Sequence, residues 1–586
     1  MQLDAILTEL SRNNELPTET KLQETRELHS QVNEDLVQID AEIERLKAKR
    51  EDVQRSLDIY DTILSPARRL LPDILQEIFY HCLSSDGPIY AILSASEVPM
   101  LLTRVCSLWR SVALSSPRIW TSLHIPIPGD PRIYGFSVDR SLELRRQMFS
   151  KTMQLRCRAI NEWLDRSGSC PLSLSISYPF SYSPDIINNG AEDDEVVDPL
   201  LRTIQPFAPR LRHLHLSMPH HIYQKLETKI PLDSLSTLRS FEGNIFFPSA
   251  TPGPQPTLVP LHIIELPTLK ALSISCPQIT LNLPNHPNSW GRLTDICFES
   301  PALDTDLIEM LKQCRNLITL DVNMQIPRAR LDGLEPTFEM VLLPQLKNLK
   351  LRETGRASAA LCAINAPHLK SLLYKCPHRY VGDGWGPSSL SPSESLPWLI
   401  SNAAASLETL SIDPRTFQPE QVLQCLRLAT HVKDLILGEK PYFFPTIQDP
   451  EQYIGAVDIF DLEVFTVRTT EDEFSTTTPS IPLQSDILLP NLESLEANNF
   501  IIADENLRRI LISRIDAAHR GLTSPLRHVK IQFERQQKKD IVPEIVARSR
   551  SVGLTMKLDL VFRPPGPNVG PLCPSFLVPG HCYTII

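Results

Sequence analysis

The sequence predicts an α/β protein in three parts: an N-terminal coiled-coil helix, a small helical module, and a long solenoid whose short strands line up in one parallel sheet. Three observations carry that expectation. Apolar residues alternate at three- and four-residue spacing from Leu22 to Leu64, two further runs between Leu71 and Ala113 keep a helical period, and beyond Trp120 one strand-like phrase keeps returning. The 586 residues would otherwise call for about four ordinary domains, but stacked repeats share one core and cancel that count.

The rod occupies residues 18–64. From Leu22 through Thr25, His29, Val32, Leu36, Ile39, Ile43, Leu46, Arg50, Val53, Leu57 and Tyr60 to Leu64, the spacing alternates three and four without a slip. Neither Pro nor Gly falls between Thr18 and Ser65, and Pro66 closes the run. With Leu22 as heptad position a, His29 and Arg50 are polar a residues, which cost stability and can fix register. Glu42 would meet Lys47 across a parallel pair while Asp35 would face Asp40, so these charges leave the orientation open. Self-association is the expectation; a helix folded back on its own chain has the same period, and both stand at this point.

Residues 65–123 form the module. LPDILQEIFYHCL places Pro72 at a helix start, with Ile74, Leu75, Ile78, Phe79 and Cys82 on one apolar face. A second run, PMLLTRVCSLWRSVA, gives Leu101, Leu102, Val105, Cys106, Trp109, Val112 and Ala113 a similar face, and SSPRIW ends it. Two such helices cannot bury both faces alone, so apolar surface is left for a partner or a neighbouring domain.

The order Leu71-Pro72, Ile74-Leu75, Ile78-Phe79, Leu102, Val105-Cys106, Trp109-Arg110, Ala113, Pro117 and Ile119-Trp120 resembles the F-box. The resemblance implies docking on the Skp1-type adaptor of a cullin-RING ubiquitin ligase. By position, Leu71, Pro72, Ile74, Leu75, Ile78, Phe79, Leu101, Leu102, Val105, Cys106 and Trp109 would form or support the adaptor-binding surface. The insert Ser84 to Val98 is longer than the usual F-box connection. A coiled coil followed by this longer-looped module is similar to the type found in mushroom-forming fungi.

Residues 124–562 carry the array. PRLRHLHL at Pro209, PTLKALSI at Pro267, PQLKNLKL at Pro344, PHLKSLLY at Pro367 and PNLESLEA at Pro490 share a frame with apolar residues at positions 1, 4 and 6. Positions 4 and 6 alternate as a strand does, and position 1 tucks in from the turn. Without the proline, the frame starts at Leu211, Leu238, Leu269, Leu293, Leu317, Leu346, Leu369, Leu407, Val432, Leu462, Leu492 and Leu526. Trp120, Leu123 and Ile125 already fit it, and Leu172, Leu174 and Ile176 mark another strand. This resembles leucine-rich repeats of an irregular kind. Asp185 to Pro199, Pro248 to Pro260, Val381 to Pro397 and Glu471 to Pro482 read as solvated insertions, and the Pro-rich tail 563–586 as unpacked chain.

Parallel stacking would expose positions 3 and 5 on a concave face, a binding surface in such solenoids. Its candidate substrate-binding residues are His213, His215, Asp295, Asp321, Asn348, Lys350, Asp434 and Glu496. Acid outnumbers base there and the net charge is −11, which excludes a general nucleic-acid groove and points to a protein target with a basic segment. The cationic stretch Arg527 to Arg550 reads as a solvated face, and His213, His215, His220 and His221 as ordinary histidines rather than a metal site.

No GxSxG, GxxxxGK[ST], HExxH or GxGxxG occurs, so a non-enzymatic protein without cofactors is expected. No secretory or membrane-spanning stretch is evident, and a cytoplasmic or nuclear location is the default. The resemblances together imply a substrate-recognition subunit of an SCF-type ubiquitin ligase. The alternative is a protein-interaction scaffold whose F-box-like module does not bind the adaptor.

Overall fold

The computed structural model describes residues 17–83, 90–127, 141–178, 194–246, 262–276, 283, 287–325, 339–354, 360–375, 395–414, 417, 419–438, 460–467, 487–533, 535–562 and 582–584. Its strands are β1 (Ser122–Pro126), β2 (Leu172–Ser177), β3 (Leu211–Pro219), β4 (Ser240–Phe246), β5 (Ala271–Ser275), β6 (Asp295–Leu303), β7 (Thr319–Gln325), β8 (Val341–Leu342), β9 (Asn348–Thr354), β10 (Ile364–Asn365), β11 (Ser371–Lys375), β12 (Thr409–Ile412), β13 (Asp434–Leu437), β14 (Ser494–Phe500), β15 (His528–Phe533), β16 (Lys557–Val561) and β17 (Cys582–Thr584). Among the described residues, all but β8 and β10 join one sheet in sequence order, parallel from β1 to β16. Strands β8 and β10 pair with each other, also in parallel. The result is an α/β structure in solenoid-like succession behind one long N-terminal helix.

The repeated frame sets the register. Leu214 pairs with Phe241, Phe241 with Leu272, and the same alignment of position 4 continues through Ile296, Leu320, Leu349, Leu372, Leu410, Leu435, Leu495 and Val529. These residues are buried on one side of the sheet, where each is worth about 1.5–3 kcal/mol against exposure. Position 2 carries a second ladder ahead of the strands. The Arg212 carbonyl accepts from Arg239 N–H at 2.8 Å, Arg239 from Lys270 at 2.8 Å, Lys270 from Thr294 at 2.8 Å, and so on to Arg527 and Lys557. The turn is thereby hydrogen-bonded before the strand begins.

The return segments are mostly short helices, including His220–Lys229, Asp304–Leu311, Pro419–Leu428, Asp504–His519 and Val542–Ser551. The helix Ser141–Arg166 leads back to β2, and its Trp163 meets Trp120 edge-to-face with centroids 4.8 Å apart. Trp120 Nε1 donates to the Ala113 carbonyl at 2.8 Å, joining the helical module to the array.

Four expectations need correction. The frame at Leu462 is not a strand: Leu462–Phe465 is a 3-10 turn, and β13 pairs directly with β14. The apolar spacing was met there by a turn whose Leu462 and Phe465 are buried without pairing. The acidic segment Asp185 to Pro199 is not all loop, since Asp194–Ile204 is helical with Pro199 inside it. Ser395–Ala403 is helical and takes the end of the Val381–Pro397 segment. The tail supplies β17, antiparallel to β16, so it is not wholly unpacked. The insertions at Pro248–Pro260 and Glu471–Pro482 lie outside the described residues.

Where the missing strand would stand, Arg514 holds the chain. Its guanidinium is nearly fully buried and donates to the carbonyls of Phe465 at 3.0 Å, Leu489 at 2.9 Å and Leu488. Burial lowers its pKa to about 10, still well above neutrality. Replacing Arg514 by Met would strand three buried carbonyls and is expected to cost about 3 kcal/mol, read from the chemical-denaturation midpoint. At the end of β13, Gly438 has φ of 79°, and an added Cβ would lie 2.5 Å from the Asn498 carbonyl oxygen. Gly438→Ala is expected to cost about 2 kcal/mol and to weaken amide-exchange protection in β13 and β14; unchanged protection would contradict the close approach.

Candidate functional site

The first candidate surface lies on the helical module. Leu71 precedes the helix Pro72–His81, and its period splits the apolar residues between two sides. Leu75 and Phe79 are fully buried, while Leu71, Ile74 and Ile78 face outward, at 67%, 50% and 38% exposure. Pro72 is exposed at the first turn.

The second apolar run is not one helix. Leu101–Arg104 is a 3-10 turn, the chain extends at Cys106, and a new helix runs Ser107–Leu114. Cys106 caps that helix, its Sγ accepting from the Trp109 N–H at 3.4 Å, and Arg110 Nε donates back to the Thr103 carbonyl at 2.7 Å. Leu102 is buried beneath the turn; Leu101, Val105 and Cys106 are exposed, Val105 at 54%. Trp109 is half-buried, its ring centroid 5.0 Å from Phe79. Three of the eleven predicted adaptor-binding residues, Leu75, Phe79 and Leu102, therefore lie in the core and shape the surface from beneath.

The described part of the insert begins at Tyr90. Residues 90–93 run beside β1: the Ala91 carbonyl accepts from the His124 N–H at 2.7 Å, and Ile92 bridges His124. Arg118 braces the module from the other end, 2.6 Å from Glu77 and 4.1 Å above the Tyr80 ring.

The second candidate surface is the sheet face opposite the leucines. Positions 3 and 5 align from strand to strand, with His213 beside Ser240 and His215 beside Glu242. His213, His215, Asp295 and Asn348 are half-buried; Lys350 and Asp434 are exposed. Asp321 is buried by ion pairs to Arg352 at 2.7 Å and Lys350 at 3.6 Å. Glu496 is 3.1 Å from Lys530, and Asp559 3.1 Å from His528. Asp321 and Glu496 are thus neutralised by cations of the neighbouring strand. Three of the eight predicted contact residues, Asp321, Lys350 and Glu496, are consequently committed to ion pairs within the sheet.

The N-terminal end of the face holds a polar chain. His124 Nδ1 lies 2.9 Å from Ser175 Oγ, which lies 3.0 Å from His215 Nδ1. Tyr90 stacks on His215 with centroids 6.1 Å apart, and burial and the Glu242 charge push its hydroxyl pKa up to about 12. Tyr90 thus covers part of a predicted contact residue.

A feature that the sequence reading missed lies along the strand-entry rim. Position 2 places exposed Arg212, Arg239, Lys270, Lys347, Lys370 and Lys433 along the array, interrupted by Thr294, Ile318 and Glu408, and their backbones are tied into the carbonyl ladder. Glu408 meets Lys370 at 3.6 Å and Lys433 at 4.0 Å; the row remains predominantly cationic. The recurring charged residue after Pro-x-Leu was its signal. The stretch from Arg527 to Arg550, by contrast, is largely paired: Arg527 with Glu493 at 3.1 Å, Arg535 with Asp504 at 2.5 Å, Lys539 with Glu505 at 3.1 Å and Arg548 with Asp516 at 2.7 Å.

Among the described residues, no three His, Cys, Asp or Glu are grouped to hold a metal ion, and no helix is long and apolar enough to cross a membrane. His220 and His221 open the helix His220–Lys229 instead of joining the strand face. Neither a protein-family model nor a curated protein matches the chain.

Burial, aided by the His215 charge, lowers the His124 pKa, and burial with the Arg212 and Arg239 charges lowers that of His213. Unfolded histidine titrates near 6.5, so the unfolded chain takes up protons first. Their contribution is complete above about pH 6.5 and falls as the pH drops through and below that value. The unfolding midpoint of a His124→Gln/His213→Gln variant is expected to depend less on pH between about 5 and 7 than that of the natural chain; equal slopes would contradict this.

Proposed function

We propose that the chain is a substrate-recognition subunit of an SCF-type ubiquitin ligase. The two-helix module docks on a Skp1-type adaptor of a cullin-RING ligase, and the leucine-rich-repeat-like array holds a target protein. The observation that carries the reading is the outward apolar set Leu71, Ile74, Ile78, Leu101 and Val105, in the sequence order that resembles an F-box. A monomer gains nothing from keeping these side chains in water, whereas an interface buries them at about 25 cal/mol per Å² of apolar area. Leu75, Phe79, Leu102 and Trp109 support the patch by locking the helix to the turn.

The array supports the second half of the reading. Ion pairs between strands quench Asp321 and Glu496, and the rim adds Arg212, Arg239 and Lys270, so a target with an acidic segment fits better than the basic one expected from sequence. Bond-making on ubiquitin belongs to the other subunits, and this chain acts by bringing the target to them. A cytoplasmic or nuclear setting, where that machinery works, goes with the proposal.

The test is co-expression of the full chain with its host's adaptor, followed by size-exclusion chromatography with mass determination. Val105→Asp and Ile74→Asp each put a charge into the interface from an exposed position and are expected to weaken the complex at least 100-fold, with the unfolding midpoint unchanged. Leu102→Asp would not discriminate, because Leu102 is buried and its replacement unfolds the module. Absence of any complex with the natural chain overturns the reading and favours a scaffold without adaptor binding.

A further inference from the structure

Among the described residues, the rod presents a long apolar stripe that the rest of the chain does not cover. Glu19–Leu64 is one uninterrupted helix with no buried residue, about 69 Å long at 1.5 Å per residue. Val32, Leu36, Ile39, Ile43, Leu46, Val53, Leu57, Tyr60 and Leu64 are each 39–63% exposed along one stripe. The described residues of the chain do not fold back onto it, so the stripe is available to a second molecule.

The occupant can be read from the flanking charges. In a parallel pair, position a faces position a, so Arg50 would meet Arg50 and His29 would meet His29. Asp35 would also face Asp40 at the edge, which offsets the attraction of Glu42 for Lys47. An antiparallel pair sets a against d. With Ile43 opposite Leu46 of a second copy, every seam residue from Thr25 to Leu64 has a partner: Leu36 with Val53, Val32 with Leu57, Arg50 with Ile39 and His29 with Tyr60.

The edges then agree. At this register the flanking residues closest in level, about two residues or 3 Å of rise apart, are Arg26 with Asp61, Asp40 with Lys47, Glu42 with Lys49, and Leu28 with Ile63. Twofold symmetry makes each pair occur twice, and no like charges meet. Arg50 stands on the same edge as Asp40 of the other copy, so its aliphatic stem covers Ile39 while its head reaches the carboxylate. Sliding by one heptad in either direction brings Glu42 against Glu42 and Asp40 against Asp40, or Lys49 against Lys49 and Lys47 against Lys47. Within the single helix Glu42 is 2.7 Å from Arg45 and Lys47 is 2.7 Å from Glu44, but all four are more than half exposed, and such pairs re-form at little cost.

We propose that the rod joins two copies of this chain in an antiparallel coiled coil centred between Ile43 and Leu46. The individual charge pairs are weak, but together they select this orientation and register over the alternatives. The inference stands apart from adaptor recruitment and neither requires nor excludes it.

The test measures mass by light scattering and distance by double electron–electron resonance on the full chain. Spin labels are attached through a non-natural amino acid, because Cys82, Cys106 and Cys362 are exposed thiols that would also be labelled. The antiparallel register places residue 27 of one copy level with residue 62 of the other. A label at Glu27 is therefore expected to report about 50 Å to its counterpart, and a label at Glu44 under about 25 Å. Both substitutions fall on the outward side of the helix. A two-copy mass with the long and the short distance supports the proposal. A single-copy mass at about 20 μM overturns the pairing, and a short distance at Glu27 overturns the orientation.

Discussion

The structure depends on parallel register between neighbouring repeats. Each repeat has one apolar edge and too few residues to enclose it, so it becomes stable only when its leucines stand over those of the next. Two sets of hydrogen bonds enforce that alignment: the strand ladder itself and the carbonyl of position 2, which accepts from the following repeat before the strand starts. A one-residue slip would turn Leu214 or Leu320 toward water and bring His215 or Asp321 inside. The register therefore also fixes which residues face a target.

That dependence explains what was legible in the amino-acid order. Positions 1, 4 and 6 announced the strands because burial acts on them directly, and Leu123, Leu214, Leu349 and Leu495 all lie where the frame put them. Leu462 failed because three apolar positions also satisfy a turn packed on the core, and the spacing says nothing about where the backbone finds its bonds. The carbonyls around Arg514 show where those bonds went. Cys106 misled for a related reason: an N-cap can interrupt a helix without disturbing its apolar period.

The two candidate surfaces were legible to different degrees. On the module, helical period separated Ile74 from Leu75 in the structure, but the sequence alone could not say which of two apolar neighbours turned inward. On the sheet face positions 3 and 5 alternate with the buried leucines as the frame expects, but a count of charges does not reveal the ion pairs that register creates. Asp321 and Arg352 are separated by one repeat in sequence and by one strand in space, and only the register makes them an ion pair. Counting acids and bases treats such residues as independent when the fold has already spent them on each other.

The two ends of the sheet carry a final consequence. A parallel sheet built one repeat at a time leaves unpaired N–H and C=O groups at its first and last strands, where another chain could add and then another. Here Ala91 and Ile92 bond to the outer side of β1, and the short antiparallel β17 lies against β16. The reversal of direction at β17 matters as much as its presence, because it offers the next molecule the wrong polarity to continue the stack. Among the described residues, each end of the array is thus a poorer template for a further parallel strand than a bare edge would be, which works against open-ended stacking.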